Sequence, residues 1–280
     1  MSVGSGSDHR IAVGDGISLF CGDHAGPAPV LCLPGLTRNS RDFGPLARHL
    51  SSGRRVLTPD LRGRGRSDRD PDWRRYRLDV YVADMIALLD TYDLERVPVV
   101  GHDWGGCVAL DLGANHADRI TRVVSLAIPH PDGFVARRRD LQEQKTAAYA
   151  WILAYSSGAA ALASDPNWLD QIHAEWSPGL VRAEWPAVKA VLAQPGVGEA
   201  VHGWYRDDFE AASGTGDVHV PTLMLHGDAD GCIRSACFRG FEARFPAGLD
   251  LEELPGVGHW LHCEAPDRVA DRIAAFLRAG

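Results

Sequence analysis

Three residues far apart in this 280-residue chain are of the right types to carry out nucleophilic displacement together: Asp103, Asp230 and His259. Asp103 stands in Gly101-His102-Asp103-Trp104-Gly105, between the apolar run Val97–Val100 and the helix-like segment Val108–Leu112. Small residues on either side of a tight strand-to-helix turn let the central side chain project away from the backbone. Helix N-capping is the simpler role for an aspartate at that position. Two further residues follow, however, in the order nucleophile, acid, histidine that such a turn serves. Asp230 closes Leu225-His226-Gly227-Asp228-Ala229-Asp230 and is expected as the acid. Asp228 competes for that role, but it comes only one residue after Gly227. His259, in Gly258-His259-Trp260 after the strand-like run Leu249–Leu254, is expected as the base.

A carboxylate nucleophile selects its substrates. With an ordinary pKa near ~4 it is ionised at neutral pH and needs no base to attack. Attack on an acyl carbon would give a reactive anhydride. Attack on a saturated carbon bearing a leaving group gives a stable alkyl ester instead. His259 would then activate water against that ester, with Asp230 orienting the imidazole and stabilising its charged form. The expected partner is therefore a small electrophilic molecule, and no cofactor or metal enters the chemistry.

The elements that must hold these residues alternate. Arg10–Val13 and Ile17–Cys21 flank Gly14-Asp15-Gly16 as a hairpin, after a flexible tail over residues 1–9. Val30–Leu33, Val56–Leu57 and Val97–Val100 each lead through a turn into a helix-like stretch: Phe43 to Leu50, Val80 to Leu89 and Val108 to Leu112. After Arg122–Ile128 and Pro129-His130-Pro131 the chain turns helix-like from Asp132 to about Asp217. The alternation then resumes with Thr222–Leu225, Cys237–Phe245, Leu249–Leu254 and a closing helix from Arg268 to Leu277. This pattern predicts an α/β fold with a mainly parallel sheet and helices on both faces. The core would span residues 10–131 and 218–280, and a helical cap, 132–217, would roof the carboxyl ends of the strands.

Composition narrows the function classes. A net charge of −8 opposes nucleic acid and anionic membranes as partners. The arginine-dense stretch Arg62 to Arg77 reads as a solvated loop. Six cysteines without CxxC pairs read as free thiols in a reducing compartment. The uncharged part of Thr146 to Ser164 is too rich in Ala, Ser and Gly for a membrane span and reads as a helical region buried against protein. With no secretory signal at the start, the expected location is cytoplasmic. A homodimer is left open.

On these residues the chain resembles the aspartate-nucleophile branch of the α/β-hydrolases, which holds epoxide hydrolases and haloalkane and haloacetate dehalogenases. Val99-Val100-Gly101-His102-Asp103-Trp104-Gly105-Gly106 resembles the epoxide hydrolase elbow. Asp60-Leu61-Arg62-Gly63-Arg64-Gly65-Arg66-Ser67-Asp68 matches the superfamily's D-x-R-G-x-G-x-S-D loop. His226 to Ile233 resembles the acid loop of bacterial epoxide hydrolases. The resemblance implies two cap tyrosines that donate to the epoxide oxygen. Tyr205, in Trp204-Tyr205-Arg206, matches the W-Y-R segment, and Tyr149 takes the partner's place, with Tyr155 as substitute. Amphipathic packing is the plainer role for such tyrosines. The backbone N–H groups of Leu36 and Trp104 would form the oxyanion hole, and Trp104 and Trp151 would line the substrate site. One departure is Pro34-Gly35-Leu36-Thr37, where relatives carry H-G-x-P. The implied reaction is the opening of an epoxide to a vicinal diol. The alternatives are a dehalogenase with the same three residues and a non-catalytic ligand-binding protein of the same fold.

Overall fold

Short, nearly continuous apolar runs, buried on both faces in the middle of the sheet, build eight strands. The computed structural model describes residues 7–278, apart from 37, 51–52, 138, 166, 168, 181–184 and 212–214. β1 (Ser7–Gly14) and β2 (Ile17–His24) form the expected hairpin, turning at Asp15 and Gly16, both with positive φ. β1 starts inside the expected tail, because Ser7 to His9 pair with Asp23 to Cys21. Residues 1–6 of that tail lie outside the described residues.

β3 (Pro29–Leu33), β4 (Arg55–Pro59), β5 (Val97–His102), β6 (Ile120–Leu126), β7 (Thr222–Gly227) and β8 (Leu249–Leu254) are parallel. Successive residues on a strand face opposite sides. Leu31 and Val99 accordingly join the core on one face, and Cys32 and Val100 the core on the other. The first core is covered by α2 (Leu78–Thr91) and α3 (Trp104–Asn115). The second is covered by α1 (Gly44–Leu50) and the closing helix Pro266–Arg278. Cys237–Phe245 departs from its expected place in the alternation. It forms two short 3-10 turns, Ser235–Phe238 and Glu242–Arg244, within the crossover that carries the chain from β7 to the parallel β8. Its apolar residues Cys237, Phe238, Phe241 and Phe245 are buried as anchors instead of alternating along a strand.

Among the described residues, seven helices lie between β6 and β7: α4 (Pro131–Arg137), α5 (Leu141–Thr146), α6 (Ala148–Leu153), α7 (Ser156–Ser164), α8 (Leu169–Trp176), α9 (Trp185–Leu192) and α10 (Val197–Ala211). The segment Thr146 to Ser164 is not buried throughout as expected. It breaks at Tyr155, whose backbone is extended, and leaves Ile152 56% and Tyr155 66% exposed. No helix among the described residues is long and apolar enough to cross a membrane.

The arginine-dense stretch is likewise not wholly solvated: Arg62 and Arg64 are each 1% exposed. The loop is tied into a knot around Asp60, whose carboxylate accepts from the backbone N–H groups of Ser40 at 2.7 Å and Arg66 at 2.8 Å. A Cβ at Gly65 would sit 2.2 Å from that carboxylate, so only glycine closes the turn. Arg62 is drawn inward by a two-pronged pair with Asp84 of α2, at 2.8 and 2.6 Å.

The sheet order, β1-β2-β4-β3-β5-β6-β7-β8, places β3 between β4 and β5. The chain leaves β3 for β4 on one side and leaves β5 for β6 on the other, opening a crevice beyond the carboxyl ends of the neighbouring β3 and β5.

Candidate active site

Asp103 is the residue the backbone strains to present. Its φ of 52° and ψ of −121° lie in a region that a side chain other than glycine rarely enters. It occupies the N-cap position of α3 yet makes no side-chain capping hydrogen bond. Capping therefore does not account for it. The turn demands small neighbours: a Cβ at Gly101 would lie 2.0 Å from the Gly105 carbonyl oxygen, and one at Gly105 would lie 2.1 Å from that of Leu33.

Because β3 and β5 pair with Leu33 opposite Gly101, the turn after β3 runs directly past Asp103. The Leu36 N–H donates to Asp103 Oδ1 at 2.7 Å. Gly35 allows this approach, since a Cβ there would fall within 2.8 Å of the same oxygen. The Leu36 N–H thus reaches Asp103 without the H-G-x-P residues. Trp104 is the first residue of α3, where leading N–H groups have no helical acceptor.

Asp103 Oδ2 lies 3.6 Å from His259 Nε2, and His259 Nδ1 lies 2.9 Å from Asp230 Oδ2. The loops after β5, β7 and β8 thus bring the three sequence-predicted residues into one line. Asp230 is held by the backbone N–H groups of Cys232 at 2.7 Å and Ile233 at 2.9 Å, both to Oδ1. Asp228 instead accepts from Gly256 N–H in an exposed turn, which leaves the acid position to Asp230.

Burial, the largest single influence on the Asp103 carboxyl, pushes its pKa up. The hydrogen bond and charge of His259, with smaller help from His102 and the Leu36 N–H, outweigh it and hold the group below its ordinary value. Burial likewise pushes His259 down, but the carboxylates of Asp230 and Asp103 on either side outweigh it and raise the ring to about 10. The resting arrangement is a buried imidazolium between two carboxylates.

Tyr149 of α6 and Tyr205 of α10 come together above this line, with ring centroids 5.9 Å apart. Burial, and then nearby charge including that of Asp103, pushes both phenols well above their ordinary value, so they stay protonated. Tyr205 has the Trp104 indole and Tyr149 as hydrogen-bonding neighbours, and the Tyr149 hydroxyl lies 3.4 Å from Cys232 Sγ. The Trp104 ring stacks on Trp204 at 4.3 Å. Trp151, expected to line the site, is 45% exposed on the outside of the insertion. It lies two residues beyond Tyr149 on α6, which is about 200° around a helix, so the two side chains leave on opposite sides. Tyr155, the substitute for Tyr149, is more exposed still.

Sequence reasoning missed what lies behind His259. His102 Nε2–H donates to the His259 carbonyl oxygen at 3.0 Å. Burial first, and then the charge of His259, lowers the His102 pKa to about 3, so its ring is neutral. His262 stacks on Phe43 and lies 4.6 Å from His102 between ring centroids. The only signal for His102 was its position beside the nucleophile. Two groups of three potential metal ligands occur among the described residues: Asp42, His262 and Cys263, and Asp230, Cys232 and His259. The Arg38 guanidinium already lies against Asp42 and Cys263 in the first, and Asp230 and His259 engage each other in the second. Neither set is arranged as an open cation site.

Residues 28–266 match the α/β hydrolase fold family. The chain is 26% identical to epoxide hydrolase 3 of Xenopus tropicalis, over 92% of this chain and 73% of the relative. It is 27% identical to an epoxide hydrolase of Caballeronia sordidicola, over 99% of this chain and 95% of that one. Among solved structures it superposes with a TM-score of 0.86 on the epoxide hydrolase of Bacillus megaterium in complex with an inhibitor. That match is 18% identical and covers 96% of this chain and 100% of the other. The Bacillus likeness speaks for the fold. The two sequence relatives are both epoxide hydrolases.

Proposed function

This chain belongs to the α/β-hydrolase fold family, and we propose that within it the protein opens epoxides to vicinal diols through an ester on Asp103. The observation that carries this reading is the meeting of two protonated phenols, the half-buried Tyr149 and the buried Tyr205, beside a carboxylate that is already ionised. An epoxide needs that combination. Its carbon is attacked at one end while its oxygen, leaving as an alkoxide, must be given a proton at the other.

In the first step Asp103 Oδ2 forms a bond to an epoxide carbon and the carbon–oxygen bond of the ring breaks. A tyrosine hydroxyl supplies the proton to the departing oxygen. Oδ1, held by the Leu36 N–H, becomes the carbonyl oxygen of the ester. Esterification removes the charge of Asp103, and with it part of what holds a proton on His259. The ring gives that proton up, through the newly formed hydroxyl, to the tyrosinate, and becomes a base. It takes a proton from water, whose oxygen adds to the Asp103 carbonyl carbon. The resulting oxyanion sits on the Leu36 N–H, with the N–H of Trp104, at the head of α3, as second donor. Collapse gives the His259 proton to the leaving alkoxide, and the proton left on the Asp103 carboxyl passes to His259, restoring both the carboxylate and the imidazolium. The sum is epoxide plus water giving diol.

A halide needs no proton to leave, so a dehalogenase has no use for paired phenols. The indole that would hold the halide already has Tyr205 as a neighbour. The cap role of the insertion follows from the same placement, since α6 and α10 supply both phenols.

His259→Gln tests the reading. It should leave ester formation intact and stop its hydrolysis, so intact-mass measurement after mixing with an epoxide should show one adduct, on the peptide holding Asp103. An adduct elsewhere, or none with an epoxide that the unaltered enzyme opens, excludes the mechanism.

A further inference from the structure

The two arginines of the buried loop have opposite fates. Arg62 is neutralised by Asp84 and lies 3.6 Å from Asp70. Arg64, two residues on and equally buried, has none of its three guanidinium nitrogens within hydrogen-bonding distance of an acceptor among the described residues. A buried unpaired charge costs several kcal/mol, and such groups are normally paired. Arg64 is not far from the chemistry. Its guanidinium carbon lies over the Trp104 ring, 4.5 Å from the centroid, and the Tyr205 ring is 5.3 Å from that same indole. The loop bearing it is pressed against α10, which carries Tyr205: a Cβ at Gly63 would lie 2.6 Å from the Ala200 Cβ. Arg64 therefore sits at the seam between the sheet and the helical insertion, in the wall that Trp104 and Tyr205 build beside Asp103. Its charge acts on Asp103 and Tyr205.

We infer that Arg64 is an anion receptor in the substrate site, and that the preferred substrates are epoxides carrying a carboxylate. The inference rests on the epoxide reading above. A guanidinium offers its donors as a planar fork that matches a carboxylate with two parallel hydrogen bonds, and stacking on Trp104 fixes the plane of that fork. The carboxylate takes no part in bond making. It completes the pairing that the fold leaves open at Arg64 and orients the ring over Asp103. It also explains why a desolvated cation is kept in this wall, where it would otherwise weigh against folding.

The test compares matched acids and amides: glycidate with glycidamide, and 3-phenylglycidate with 3-phenylglycidamide. Each pair has nearly one shape and differs in charge. The unaltered enzyme should favour the acid by at least about 30-fold in kcat/KM, the ratio expected of one desolvated charged pair. Arg64→Met should abolish that preference. Arg64→Lys, which keeps the charge without the fork, should retain only part of it. If Arg64→Met does not fold, the unaltered enzyme still decides: 2,3-dihydroxy-3-phenylpropanoate should inhibit competitively and its amide far less. Equal kcat/KM for acids and amides overturns the inference while leaving the epoxide reading standing. So does an acid preference that survives in Arg64→Met. Failure of every acid and amide both to be opened and to alkylate His259→Gln overturns the epoxide reading, and this inference falls with it.

Discussion

Asp103→Asn should lower the pKa of His259, and the structure sets the size of the effect. The substitution keeps the shape of the side chain and an oxygen for the Leu36 N–H, while removing one negative charge 3.6 Å from His259 Nε2. A unit pair at that separation interacts by about 1 kcal/mol in a water-like dielectric of ~80, and by about 5 kcal/mol at the effective value of ~20 that suits protein sites. With roughly 1.4 kcal/mol to the pH unit, Asp103 holds the ring up by about 1 to 3 pH units. His259, at about 10 in the resting protein, should therefore titrate between roughly 7 and 9 in the variant. The assay is a pH series of histidine ring resonances in isotope-labelled protein, with His259→Gln identifying the signal among the twelve histidines. Linkage gives a second readout with a fixed sign. A ring whose folded value is raised stabilises the fold fully below its unfolded value of about 6.5, and that stability is lost as pH rises through the folded value. In Asp103→Asn the loss should come at lower pH. A His259 titration within half a pH unit of the unaltered protein would refute the reasoning. It would mean that Asp230 alone sets the ring, so that esterification of Asp103 could not turn it into a base.

Three further substitutions probe the arrangement elsewhere. Tyr149→Phe and Tyr205→Phe should each slow ester formation, and the double variant should lose about 10²- to 10⁴-fold, the usual worth of a positioned proton donor; single-turnover rates at full or near-full speed in the double variant would make both phenols packing residues. Asp84→Ala leaves the Arg62 guanidinium buried without its two-pronged partner and should cost about 3–5 kcal/mol of stability. Urea unfolding measures this, and a loss under about 1 kcal/mol would show that Asp70 or water takes over the pairing.

Much of this site could be read before any fold was known. Asp103, Asp230 and His259 announce themselves through glycines and strand ends, because a strained strand-to-helix turn tolerates few sequences, and Gly101 and Gly105 are there to avoid backbone oxygens about 2 Å away. The succession of strands along the chain and the class of the sheet follow from the same local signals, whereas the placing of β3 between β4 and β5 does not. The sequence also placed Tyr149 and Tyr205 on separate helices, but not their rings 5.9 Å apart. That distance depends on how α6 and α10 pack, which no local pattern encodes. Trp151 misled for a related reason, since an aromatic residue beside Tyr149 in sequence leaves the helix on the far side. Arg62 and Arg64 misled more deeply. A run of arginines between glycines reads as solvated because charge ordinarily stays in water. Only the tertiary structure supplies Asp60 to fold the loop inward and Asp84 to receive Arg62, while giving Arg64 no acceptor among the described residues. Whether a charge is solvated, paired or held ready for a ligand is decided by residues distant in the chain, and that is why it had to be seen folded.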